Sequence, residues 1–594
     1  MRFRLIRLRF RRHWRQSQRQ VEDLGSHAEQ HLEENLVQRL EHLVPVRRFI
    51  IGWLALVCLL IGAVVVQNLS LSGYYQTLQT VPGGIYNEGL QGRFTTANPL
   101  FATTDADLTV SRLIFASLFQ INGQGKLVGD LASDYSVDSR GTTYTIHLKP
   151  HLTWQDGRPL TSADVVFTYQ TIQNPDAQSP LQNSWQGVTV SATDAQTVVF
   201  KLPDILASFP YNLTNGIVPQ HLLANIPPTD LRSADFNTVH PIGAGPFAWG
   251  GIQVSGDGNP DTNQEQIALT SFAGYNGGQP KLQEFVVQAF ADQTQLITAF
   301  QSGRLTALEG LEQVPSQLEH KASVVQHSLT LRAATMVFFK TSSGVLADQA
   351  VRQALVAGSN VPQIIAKLGY PTRAVREPLL EGQLGYDPTL TQADFNPIAA
   401  AQQLTSDGWV LGRDGLRTKA GQPLTFSLSV ADEPDYHEVA SQLQQQWRSL
   451  GVKLNVQYLD VTDFQSVLSN HSYDAILDGI SIGVDPDVFI YWDSSQADIR
   501  SPERLNLSEW NNTTADAALE AGRTRLDPAL RVIKYKPFLQ AWQQDAPALG
   551  LYQPRVLYLT NGPVNGLTDQ PITTVTDRLV NVQNWEIQQA KVTN

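Results

Sequence analysis

The longest uncharged apolar run is residues 49–66 (FIIGWLALVCLLIGAVVV), 18 residues. At ~1.5 Å per residue a helix of that length covers ~27 Å, about the thickness of bilayer hydrocarbon. Beyond it the apolar positions recur at shorter periods. Residues 142–149 (TTYTIHLK) and 197–202 alternate as half-buried strands. Residues 161–172 begin with a Thr-Ser-Ala-Asp cap region and read as a helix. Residues 347–357 and 362–368 are also helical in pattern. The clearest helix is 434–450: Val439, Leu443, Trp447 and Leu450 share a face, and Gly451 follows as a C-cap. Residues 452–456 and 473–480 then read as strands. Interleaved helices and strands of this kind predict an α/β or α+β architecture. Residues 68–82 are small and polar, a short stalk. The Gly/Asp/Asn-rich stretch 251–264 reads as a protruding loop.

Charge gives the apolar run an orientation. Residues 1–48 carry 11 Arg, no Lys and 6 Asp/Glu, a net of +5, which leaves −17 on residues 68–594 of the −12 total. Arg47 and Arg48 immediately precede the run, and the next Lys or Arg is Arg93. This asymmetry predicts a cytoplasmic N-terminus, an uncleaved anchor at 49–67 and an exterior body. Residues 2–19 alternate Arg with large apolar side chains, which suits an anionic membrane surface. Leucines and alanines spaced by three and four over 21–44 predict an amphipathic helix, either partnered or simply solvated. His27 and His31 are four apart, too few ligands for a metal site.

Composition narrows the chemistry. A 42% hydrophobic fraction fills a large core. The single Cys58 excludes a disulfide framework and multi-Cys metal sites, and lies within the apolar run. The acidic body argues against nucleic acid as a partner. H-E-x-x-H and P-loop motifs are absent, so no cofactor is implied. Gly479-Ile480-Ser481-Ile482-Gly483 fits G-x-S-x-G, but Val484-Asp485-Pro486-Asp487 is a poor start for the helix a nucleophile elbow needs. The last histidine, His471, precedes Ser481, which removes the required Ser…Asp…His order. No enzyme is predicted; those glycines suit a backbone turn at a ligand cleft.

Several pieces, in order, resemble one family. They begin with Asn98-Pro99-Leu100-Phe101, residues 113–119 (LIFASLF) and Asp130-Leu131-Ala132. Residues 152–167 (LTWQDGRPLTSADVVF) are the most specific piece. Pro241-Ile242-Gly243-Ala244-Gly245-Pro246-Phe247, residues 299–303 (AFQSG) and residues 348–355 (DQAVRQAL) follow. Together, over about 82–594, they resemble the family 5 extracellular solute-binding proteins, the peptide, dipeptide and nickel receptors of ABC importers. Residues 304–306 (RLT) depart from that family's Glu-Ile-Asp. Residues 156–162 also make plain structural sense as a turn followed by a helix cap. Gly243 and Gly245 permit either a tight turn or close approach of backbone to ligand.

The resemblance implies a two-lobed periplasmic-binding-protein type II fold of the large, three-subdomain kind, after an N-terminal transmembrane helix. The implied organisation is a cytoplasmic segment 1–48, an anchor 49–67, a stalk 68–81, lobe 1 at 82–344 with 550–594 returning, and lobe 2 at 345–549. Ligand contacts are expected at Thr103, Thr104 and Asp105 on an edge segment, at Gly245, at Phe338, Phe339 and Tyr552 near the hinge, and at Ser481, Gly483, Asp485 and Asp487. Peptide-binding members often carry a Trp and, three residues on, an Asp for the peptide amine. Here those positions are Ile480 and Gly483, so either Asp485 or Asp487 substitutes or the ligand lacks an amine there. The few Met and scattered His argue against a nickel ligand set at the cleft. The implied function is a membrane-anchored receptor that captures peptides or similar solutes by hinge closure. It would hand them to ABC permease subunits with a separate ATPase. The alternative is a surface sensor that kept the fold and signals through the basic head.

Overall fold

The computed structural model describes residues 47–256, 263–501 and 504–593. The basic and amphipathic patterns of 2–44, with His27 and His31, lie outside the described residues. The apolar run is helical, and the helix Arg47–Tyr75 extends through most of the expected stalk. No proline interrupts it before Pro82, so nothing in the backbone ends it sooner. The strand Gln76–Val81 follows. Arg48–Gln67 is long and apolar enough to cross a membrane, and none of it is buried by protein. Thr80–Gln588 form a separate compact unit.

Alternation in the sequence becomes strand faces. In Thr143–Leu148 the residues Tyr144, Ile146 and Leu148 point inward, and Thr197–Lys201 pairs beside it. With Ala132–Val137 and Thr189–Asp194 they make a four-stranded antiparallel sheet. The adjoining helix Ser162–Gln173 is started by a capping box between Thr161 and Asp164. Trp154, fully buried, opens the turn before it: Trp154 N donates to Arg158 O at 2.8 Å, and Gly157 takes φ +83°.

Two larger sheets organise the rest. One has seven strands in the order Val324–Thr330, Arg555–Asn561, Ala307–Leu311, Ile85–Gln91, Glu284–Phe290, Gln264–Ser271, Phe247–Ser255. Ile85–Gln91 runs parallel to both its neighbours, and the outer pairs are antiparallel. Of the expected loop 251–264, residues 251–255 and 264 are strand and 257–262 lie outside the described residues; Gly251, at a register shift, lets Phe247–Ser255 continue against Gln264–Ser271. The second sheet has five strands in the order Lys453–Leu459, Thr425–Ala431, Ala475–Ser481, Ala333–Phe339, Ala548–Tyr552. Helix Pro434–Ser449 covers one face, with Val439, Leu443 and Trp447 all at 0% exposure.

The chain passes between the two sheets twice, at Leu331-Arg332 and at Gln553-Pro554. Leu331 N donates to Pro554 O at 2.8 Å, and Gln553 Nε2 donates to Leu331 O at 3.1 Å, so the crossings are bonded to each other. The sheets therefore change hands earlier than residue 344 and later than residue 549. The physical reason lies in Ala333–Phe339, which is apolar on both faces. Val337 and Phe339 enter one core cluster, while Ala334, Met336 and Phe338 enter another. A strand buried on both sides shows no alternation that would assign it to either sheet.

Candidate functional site

A polar cavity of about 780 Å³ lies between the two parts of the unit Thr80–Gln588, a size within the usual range for small-solute pockets. One wall comes from the first part: Arg112, Asn183, Ser208, Tyr211, Asn212 and Asn215. The other is the loop Ser481–Asp487 with Tyr491 and Arg523, and Thr573, Thr576 and Asp577 close a third side.

Each wall has a local cause. Strand Ala475–Ser481 ends at the cavity, where Gly483 adopts φ +74°, a conformation that favours glycine. Ile482 N and Gly483 N both donate to Arg332 O, at 3.0 and 2.9 Å, which ties the loop to the first crossing. Gln383 Nε2 donates to Gly483 O at 2.9 Å, and Tyr491 OH donates to Ser481 O at 2.7 Å. On the third side the Asp577 carboxylate accepts from Thr573 N and Thr574 N at 2.8 and 3.0 Å. Its neighbour Arg578 pairs with Glu88 on the central strand below, both side chains fully buried.

The two aspartates of the loop are already engaged. Asp485 receives both guanidinium nitrogens of Arg531, at 2.7 and 2.6 Å, with 9% and 6% of the two side chains exposed. Burial works against the Arg531 charge, but the carboxylate more than offsets it and raises the guanidinium further above its ordinary value. Asp487 pairs with Arg523 at 3.3 Å and accepts from Ser208 Oγ at 3.0 Å. Ala207 N donates to Arg523 O at 2.9 Å, so the same arginine holds both walls at this rim. Asp485 is fully engaged, whereas Asp487 keeps one buried oxygen, Oδ1, without a hydrogen-bond partner.

The remaining expected contacts have other places. Thr104 caps the helix Asp105–Ile114: its hydroxyl accepts from Asp107 N at 3.1 Å and donates to Arg93 O at 3.0 Å. Thr103 and Asp105 are exposed beside it. The expected edge segment is thus a helix start, because Thr104 and Asp107 have capping spacing. None of the three lines the cavity, whereas Leu108 and Arg112, farther along the helix, do. Gly245 donates to Ile114 O at 2.7 Å, and a Cβ there would sit 2.7 Å from the Ile114 carbonyl carbon. Its close approach is to this chain's own helix end, not to the cavity. Phe338 and Phe339 are at 0% exposure, packed near Trp492 and Trp447. Tyr552 is 1% exposed in the same core, and burial pushes its hydroxyl pKa up. Of the expected residues, Ser481, Gly483, Asp485 and Asp487 line the cavity.

Sequence reading missed Arg112 and the Tyr211–Asn215 corner. The corner's one legible signal is a polar run interrupted by the buried Leu213. Among the described residues no three His, Cys, Asp or Glu side chains gather as a metal site. Ser481 is followed by a turn rather than a helix, so the G-x-S-x-G match is not an elbow.

Two sheets joined by two crossings, with a polar cavity between them, define a two-lobed binding protein of the periplasmic type II fold. More narrowly, the chain belongs to the bacterial extracellular solute-binding proteins, family 5, whose middle region matches residues 126–501. It is 24% identical over 488 residues to the oligopeptide-binding protein AppA of Bacillus subtilis, covering 80% of this chain and 86% of AppA. The structure of that protein with a nonapeptide aligns with a TM-score of 0.66 at 22% identity, over 86% of this chain and 100% of AppA. NikZ from Campylobacter jejuni, in complex with Ni(L-His), aligns with a TM-score of 0.69 at 21% identity, over 85% of this chain and 99% of NikZ. At such identities the structural likeness carries the fold alone.

Proposed function

We propose that this chain is the capturing receptor of an ABC importer for peptides or similar polar solutes. The helix at 49–67 anchors it in the membrane, and residues 68–594 lie outside. The observation that carries the reading is the polar cavity of about 780 Å³, walled from both sides of the double crossing. A solute that touches both walls favours whichever lobe arrangement brings them together. The relatives agree in kind, since AppA is described as oligopeptide-binding. Delivery goes to permease subunits, with ATP hydrolysis on another polypeptide.

The test is to purify the full chain from membranes in detergent, extract it and identify what co-purifies by mass spectrometry. A peptide or another polar oligomer at near-stoichiometric yield is expected. An empty protein whose thermal midpoint is also unmoved by a random peptide pool would overturn the reading.

A further inference from the structure

The charges around the cavity are unequally matched. Two cations line it, Arg112 and Arg523. Arg523 is paired with Asp487. Arg112 makes no ion pair among the described residues. Its Nη2 donates to Gln120 Oε1 at 2.6 Å and its Nη1 to Ser117 Oγ at 3.3 Å. The Ser117 hydroxyl gives its own proton to Phe119 O at 2.7 Å, so toward Arg112 it acts only as an acceptor. Both partners are neutral. They fix the plane of the guanidinium and leave it without a carboxylate at ion-pair distance.

Three carboxylates also line the cavity, Asp485, Asp487 and Asp577, and none lies within ion-pair distance of Arg112. Asp130 accepts from Ser117 N at 3.0 Å and from Asn276 Nδ2 at 3.2 Å. Asp577 accepts from two backbone N–H groups, and Asp485 is held by Arg531. A fixed guanidinium with spare N–H donors is the group best suited to take a carboxylate through two parallel hydrogen bonds. The amide side chains of Asn183, Asn212 and Asn215 on the same wall add neutral donors and acceptors.

We propose that Arg112 reads an acid group: the solute captured here carries a carboxylate that pairs with Arg112. This rests on the cavity being the solute site. The shared chemistry is a carboxylate on a polar solute, from a peptide C-terminus or from a sugar acid.

The experiment uses the full chain in nanodiscs, with three probes. One is a random pentapeptide pool free of Asp and Glu, with free C-termini. The second is the same pool amidated, and the third is glucarate. Bound species are quantified by mass spectrometry after equilibration. At least tenfold enrichment of the free-acid over the amidated pool, falling to near parity in Arg112→Gln, supports the inference with a peptide as source. Glucarate binding that weakens at least tenfold in Arg112→Gln supports it with a sugar acid as source. Arg112→Lys, which keeps the charge without the fork, should retain part of the preference, and matched thermal midpoints exclude misfolding. Equal capture of acid and amidated pools, or a preference unchanged in Arg112→Gln, overturns the inference alone. Failure of every probe to bind overturns the solute-capture reading and this inference with it.

Discussion

Residues 152–167 and residues 481–487 make opposite uses of similar amino acids. Both contain an Asp beside a Gly or Pro in a turn that leads toward a helix. In the first, the strongest family signature in the chain, Trp154 is buried and Thr161 with Asp164 starts a helix; no residue of it lines the cavity. The second forms a cavity wall. The contrast shows that a recurrent signature marks where the backbone has few alternatives.

That contrast can be broken by mutation, most forcefully at the buried pair behind the loop. Arg531→Met leaves Asp485 buried without a partner and should cost ~3–5 kcal/mol in chemical unfolding. Adding Asp485→Asn should restore part of it. If the single variant unfolds like the native chain, the pair does not hold the loop. Trp154→Ala should cost ~3–5 kcal/mol by emptying a core site, yet leave the affinity of the folded protein for its solute unchanged. A change in affinity without loss of stability would erase the distinction between the two regions.

A third test uses pH. Glu377 lies in the segment that also supplies Gln383 to the cavity loop, and burial pushes its carboxyl up to about 8 from an ordinary 4.5. Between those values the folded chain keeps a proton that the unfolded chain has released, so stability falls as pH rises through that window. Glu377→Gln should flatten the decline of the thermal midpoint between pH 5 and 8; parallel curves would show that Glu377 does not contribute. The smallest effect is expected at the rim. Ser208→Ala removes one bond to Asp487, worth ~1 kcal/mol, and should widen the distribution of lobe separations in small-angle scattering with little change in midpoint. A narrower distribution would contradict the bridging role.

Much of the fold was legible because period and burial coincide. The expected helix 434–450 is Pro434–Ser449, and the expected strand 473–480 is Ala475–Ser481. The points where the chain changes sheets were not, because Ala333–Phe339 is apolar on both faces and Ala548–Tyr552 is buried throughout. Asp485 and Asp487, expected from the family's Asp-Pro, line the cavity. Their arginine partners, at 531 and 523, lie on separate helices that no local pattern links to the turn. Phe338, Phe339 and Tyr552 illustrate the opposite error: proximity to a hinge in sequence put core residues into the site. Arg112 went unnoticed since, on the amphipathic helix Asp105–Ile114, an arginine reads as an ordinary solvent-side residue.

The bond from Ile482 and Gly483 to the carbonyl of Arg332 has a mechanical consequence. It fastens the base of the cavity to the axis on which the two sheets are joined. For any relative rotation about the paired crossings, displacement grows with distance from that axis. Groups at Gly483, bonded to that axis, therefore have almost no lever arm. A ligand resting on the base alone is a passenger that exerts no torque, and leverage over the arrangement of the lobes belongs to a ligand that reaches farther from the axis.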